Sequence, residues 1–104
     1  MGGGTTKYSM VADLTSPITT ITQADFPYTV AEDCIAIGSY GSSSGNAEFY
    51  IDGANFSVNS ASSGSRSVTL GNNTNGVGLL LSEGHILTCR SNTTVSLTLY
   101  KISE

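Results

Sequence analysis

Few side chains in this sequence can exchange protons or hold a metal, and their spacing bounds what they can do. Glu48 and Asp52 lie in Glu48-Phe49-Tyr50-Ile51-Asp52, so an extended backbone puts both carboxylates on the face opposite Phe49 and Ile51. Two carboxyl groups roughly 5 to 10 Å apart are what glycoside hydrolysis uses. That chemistry also needs a cleft that raises one pKa and orients the sugar ring, which a small sheet protein lacks, so the pair reads as a solvated strand face. His85 is the one histidine. It follows a turn glycine and has no Cys, carboxylate or second His at ligand spacing, which argues for a surface or strand-edge imidazole and against a zinc site. Asp25 and Glu32-Asp33 lack the alternating acids of a calcium loop. Gly41-Ser42-Ser43-Ser44-Gly45 shares only the composition of a phosphate loop, with no Lys and no helix after it. The expectation is a protein that is not an enzyme, with no catalytic residue, no metal and no cofactor.

Composition points the same way. Ser, Thr, Gly and Asn make up 48 of the 104 residues, so the surface is neutral and hydrogen-bonding rather than ionic, which suits contact with something polar and uncharged. Four basic residues against eight acidic ones give a net charge of -4 and a pI near 4.6, which leaves no basic footprint for nucleic acid. No stretch approaches the ~20 apolar residues of a membrane span, so membrane insertion is not expected. Met1 to Thr6 formally matches a myristoylation start, but residues 1–5 read as a flexible leader. Cys34 and Cys89 could form one disulfide; without a secretory signal they read more easily as small buried apolar side chains. The sequons at Asn55, Asn72 and Asn92 are about what chance gives in so Asn-, Ser- and Thr-rich a chain.

The elements that must carry these residues are strands. Gly or Pro interrupts nearly every window long enough for a helix. Val95, Leu97 and Leu99 alternate with Ser96, Thr98 and Tyr100, the period of a half-buried strand. The same alternation is read in Tyr8 to Leu14, Ile35 and Ile37, Phe49 and Ile51, Phe56 and Val58, Val68 and Leu70, and Ile86 with Thr88. Asp52-Gly53 predicts a tight hairpin joining Phe49–Ile51 to the strand after it, and Glu83-Gly84 predicts another between Leu79–Leu81 and Ile86–Thr88. Longer polar loops fall at 41–46, 59–65, 71–78 and 91–94. About eight short strands with no helix predict an all-β antiparallel β-sandwich of the jelly-roll type, one domain over residues 6–104.

Pro27 to Gly38, then Phe49-Tyr50-Ile51-Asp52-Gly53, a Ser-rich gap, and Leu79-Leu80-Leu81-Ser82-Glu83-Gly84-His85-Ile86-Leu87-Thr88 resemble, in that order, the receptor-binding head domains at the tips of bacteriophage tail fibres. The resemblance covers residues 26 to 102, with His85 where the family places Asp and Cys34 where it places Gly. It implies a jelly roll shaped like the trimeric C1q and tumour-necrosis-factor heads, located in the virion, assembled in the host cytoplasm and functioning outside the cell. Its implied partners are two further copies of the chain, other virion proteins, and a host surface glycan or protein. Family receptor contacts lie in variable loops, so the candidates are loop residues: Tyr40, Ser43, Asn46, Arg66, Asn72, Asn73 and Asn75. A structural head fibre or capsid decoration protein, and a bacterial carbohydrate-binding module, are the alternative expectations.

Overall fold

The computed structural model describes residues 11–42, 47–55, 66–90 and 92–103. Nine strands run through them: β1 (Ala12–Thr22), β2 (Tyr28–Thr29), β3 (Cys34–Ser42), β4 (Phe49–Ile51), β5 (Ala54–Asn55), β6 (Arg66–Leu70), β7 (Leu79–Leu81), β8 (Ile86–Cys89) and β9 (Thr93–Ile102). One turn of 3-10 helix, Gln23–Asp25, follows β1. Every strand pairing is antiparallel. The first sheet runs β1-β9-β3-β6, with β7 also paired to β3; the second runs β2-β8-β4-β5. The strands β6 and β7 lie end to end along β3, opposite Gly38–Ser42 and Cys34–Ala36 respectively, and so act as one strand interrupted at 71–78. Counted that way, first pairs with last, second with second-to-last, and so inward to the β4-β5 hairpin, while the chain passes back and forth between sheets. That nesting is the jelly roll the sequence predicts.

The two sheets enclose a core of alternate residues: Ile21 from β1, Cys34 and Ala36 from β3, Phe49 from β4, Leu87 from β8, and Val95, Leu97 and Leu99 from β9. Tyr40 belongs to this core, against the expectation that it rims a loop. It is 1% exposed and stacks on Phe49 with ring centroids 5.5 Å apart. Strand parity explains the correction: Cys34, Ala36 and Tyr40 share the inner face of β3, and the flanking loop begins only after Ser42.

Ile35 and Ile37 therefore face outward, yet they are 0% and 7% exposed. They form a second apolar cluster with Ala12, packed against Leu14, Tyr100 and Ile102, so β3 is buried on both faces.

The hairpin at Asp52-Gly53 is as expected. Both residues have positive φ, 52° and 82°, and Ile51 pairs with Ala54. Phe56 and Val58 lie outside the described residues, as do Tyr8 to Met10. The turn at Glu83-Gly84 is not a hairpin: β7 belongs to the first sheet and β8 to the second. Backbone bonds from Gly84 N to Val30 O and from Val30 N to His85 O, each 2.8 Å, draw the chain across to β2. The Asp33 carboxylate also accepts the Glu83 N–H at 2.9 Å. A turn sequence specifies the bend and not the partner.

Strand β1 also runs further than its alternation suggests, through Pro17, because it is an edge strand whose register slips between Ala12 and Thr19. Asp13 fills the slip. Its carboxylate accepts Thr15 N–H at 3.0 Å and the hydroxyls of Thr15 and Ser16 at 2.6 and 3.0 Å. Those bonds hold its pKa below the usual carboxylate value.

Both cysteines are free thiols, in opposite sheets. Burial, with Glu32 and Asp33 adding to it, pushes the Cys34 thiol up to about 11. Native protein at pH 8 is expected to leave Cys34 unmodified by a maleimide until denaturant is added; rapid modification of the folded state would contradict its place in the core. Tyr40→Ala is expected to cost about 3–5 kcal/mol in urea unfolding, as loss of a large buried ring does. A loop-rim tyrosine would cost less than about 0.5 kcal/mol.

Candidate functional site

The interruption between β6 and β7 builds the most distinctive surface of the molecule. Leu70 pairs with Gly38 and Leu79 with Ala36, so the excursion of residues 71–78 leaves and rejoins the sheet opposite Ile37. It is closed by a bridge between Asn72 and Val77, with Asn72 N donating to Val77 O at 2.7 Å and Gly76 N to Asn72 O at 2.9 Å. Asn72 and Asn75 each fold a local turn: their side-chain oxygens accept Thr74 N–H at 2.7 Å and Val77 N–H at 3.1 Å. Gly71, with φ of 77°, makes the sharp exit that an L side chain resists.

The excursion is docked over the outer cluster. Gly76 O accepts the Ala12 N–H at 2.7 Å, tying it to β1. A Cβ at Gly78 would stand 2.6 Å from Ala36 O and 2.7 Å from both the Ile35 Cγ2 and Ile37 Cγ1 atoms. Glycine there allows the loop to seat on the isoleucines. Outward, Asn72, Asn73, Thr74, Asn75 and Val77 are exposed. With the Asn72 and Asn75 oxygens committed to the loop, the two donors of each carboxamide nitrogen remain to meet a ligand.

A groove of about 340 Å³ runs beside the excursion. Asn72 and Asn73 line it from the loop, Thr69 and Leu70 from β6, and Ile37 and Gly38 from β3. A smaller hollow of about 240 Å³, lined by Val77, Gly78 and Leu79, shares Thr69, Leu70 and Gly71 with it. No ionisable side chain lines either one.

Of the sequence candidates, Asn72, Asn73 and Asn75 are brought together on this loop. Tyr40 is in the core. Arg66 opens β6 with its backbone opposite Ser42, and its side chain lies outside the described residues, as do Ser43 and Asn46.

The carboxylates that could have made an acid–base pair are held apart by different partners. Glu48 accepts the Tyr50 hydroxyl and lies 3.5 Å from Arg90 Nη1. That bond to Glu48 raises the Tyr50 pKa. Asp52 instead accepts the Ile86 N–H at 2.8 Å and stands 2.9 Å from His85 Nδ1. The His85–Asp52 contact was hidden in the sequence because 33 positions separate its members; only the β4-β8 pairing brings them together. Among the described residues no three His, Cys, Asp or Glu gather as a metal site, and no helix is long and apolar enough to cross a membrane.

Gly78→Ala is expected to destabilise the protein by about 1–3 kcal/mol, since backbone and two buried side chains must move. Asn72→Ala should change global stability by less than about 1.5 kcal/mol while speeding amide exchange at Thr74. Unchanged exchange there would show that the carboxamide does not order the loop.

Comparison with protein-family models, with curated proteins and with solved structures finds no match to this chain.

Proposed function

We propose that this chain is a non-catalytic recognition domain, the head of a trimeric bacteriophage virion appendage, which attaches to a host surface glycan or protein. The observation that carries this reading is the 71–78 excursion. It is a polar loop of the kind that carries binding in sheet scaffolds, and its shape is fixed before any ligand arrives. The Asn72–Val77 bridge and the bond to Ala12 hold its base, while Asn73, Thr74 and Asn75 are exposed. Preorganisation lowers the entropy lost on binding.

Self-association fits the same surface. Val77, Leu80 and Ile86 are 51%, 47% and 46% exposed, and both sheets have open edge strands. A threefold assembly would cover part of that edge and apolar area and add burial that a domain of this size lacks. Three identical sites on one head multiply a weak contact through effective concentration, as attachment to a repetitive surface requires. The order of motifs from Pro27 to Thr88, which resembles tail-fibre heads, supplies the virion context.

Light scattering after size exclusion is expected to give about three times the 10.7 kDa chain mass. The trimer is expected to bind bacterial envelope fractions, with Asn73→Ala and Asn75→Ala together weakening binding about tenfold or more. A trimer that binds no envelope fraction would contradict the recognition role and favour structural decoration of the virion. A strict monomer that binds polysaccharide would contradict the appendage and favour a carbohydrate-binding module.

A further inference from the structure

The groove beside Asn72 and Asn73 opens onto an outer sheet face whose side chains follow an unusual rule. In the first sheet Ser39 pairs with Ser96 on one side and Thr69 on the other, and Ser96 pairs with Thr22. One row across all four strands is therefore Thr22, Ser96, Ser39, Thr69. The row toward one end holds Thr20 and Thr98, whose hydroxyls are 3.1 Å apart; the row toward the other holds Thr94, Gly41 and Ser67. Their neighbours along each strand, Ile21, Val95, Leu97, Tyr40 and Val68, point into the core. These rows carry no Lys, Arg, Asp or Glu and no aromatic ring.

From these rows and the groove we infer that this face is a binding surface for a neutral polysaccharide chain, with the excursion as its side wall. The inference rests on the recognition reading and adds to it the ligand class and a second surface. Three arguments carry it. Surfaces that only face water usually draw about 25–35% of their residues from the charged types. A face with none, in a chain that puts its charges elsewhere, is matched to something uncharged. Hydroxyls donate and accept alike, so rows of them meet a ligand whose own groups are hydroxyls in either polarity. Strand spacing sets the rows about 4.8 Å apart between neighbours and roughly 14 Å across, an extended track rather than a point site.

The side chains are also short and, for Thr, stiff at χ1, so little freedom is lost when they are engaged. Thr69 belongs to both the row and the groove, which joins the flat track to a concavity of about 340 Å³ walled by carboxamides and partly floored by Ile37. A second copy of the chain is the less suitable occupant, because interface centres are enriched in aromatic residues and depleted in Ser. An anionic chain would find no cation in the rows to pair with.

The test is a titration of the full-length protein with soluble dextran, mannan and xyloglucan, with alginate as the acidic comparison, followed by amide shifts in two-dimensional NMR. Binding of at least one neutral chain is expected, with the largest shifts at Ser39, Thr69, Ser96 and Asn73. Thr69→Val and Ser96→Ala, both at exposed positions, are expected to weaken binding about three- to tenfold each while leaving the spectrum of the core unchanged. Equal or tighter binding of alginate, shifts confined to other surfaces, or no binding of any neutral chain would overturn the inference. Envelope binding that survives both substitutions would overturn it too, while leaving the recognition reading intact. Loss of all envelope binding by the unaltered protein is the separate result that removes that reading.

Discussion

Strand β3 is the constraint on which the rest depends. Its backbone is paired along its whole length to β9 on one side, and to β7 and then β6 on the other. Its inner side chains fill the space between the sheets, and its outer ones, Ile35 and Ile37, would be a costly apolar exposure in a protein of so few charges. Burying Ile35 and Ile37 adds about 1.5–3 kcal/mol each relative to leaving them in water, and the Asn- and Gly-rich loop between β6 and β7 is what covers them. Function and fold meet here. The segment that presents carboxamides outward is the same one that shields the second cluster.

That arrangement explains why an eight-residue loop with five Asn or Gly residues at 71–76 holds one shape. Such a sequence alone would sample many conformations. Here it is fixed from three directions: by its own Asx turns, by the backbone bond to Ala12, and by the seat of Gly78 on two isoleucines. The groove beside it is a by-product of the same interruption, since the sheet can open there only where β6 ends and β7 has not begun.

Much of the fold was legible in residues. Period-two patterning in Val95 to Tyr100 and the Asp52-Gly53 turn follow from local sterics, and local sterics are written in sequence. What was not legible is partnership at a distance. Glu83-Gly84 specified a bend but not the sheet change that Val30 and Asp33 impose. Ile35 and Ile37 looked like the core side of β3 because they are its largest aliphatics; the opposite parity won because Tyr40 stacks on Phe49 and the excursion supplies a second cover. The site was half legible. Three Asn in one loop suggested hydrogen bonding, but the hydroxyl rows needed the register of four strands, from residues as far apart as Thr22 and Ser96, before they became one surface.

The central claim is that the excursion sits as a built wall on the outer face of the first sheet. Interproton contacts in solution test it directly. The account predicts nuclear Overhauser effects from the Gly78 α-protons to the methyls of Ile35 and Ile37, together with a protected amide at Ala12. Absence of those contacts, with the amides of residues 72–77 and Ala12 exchanging at the rate of an unstructured chain, would contradict it.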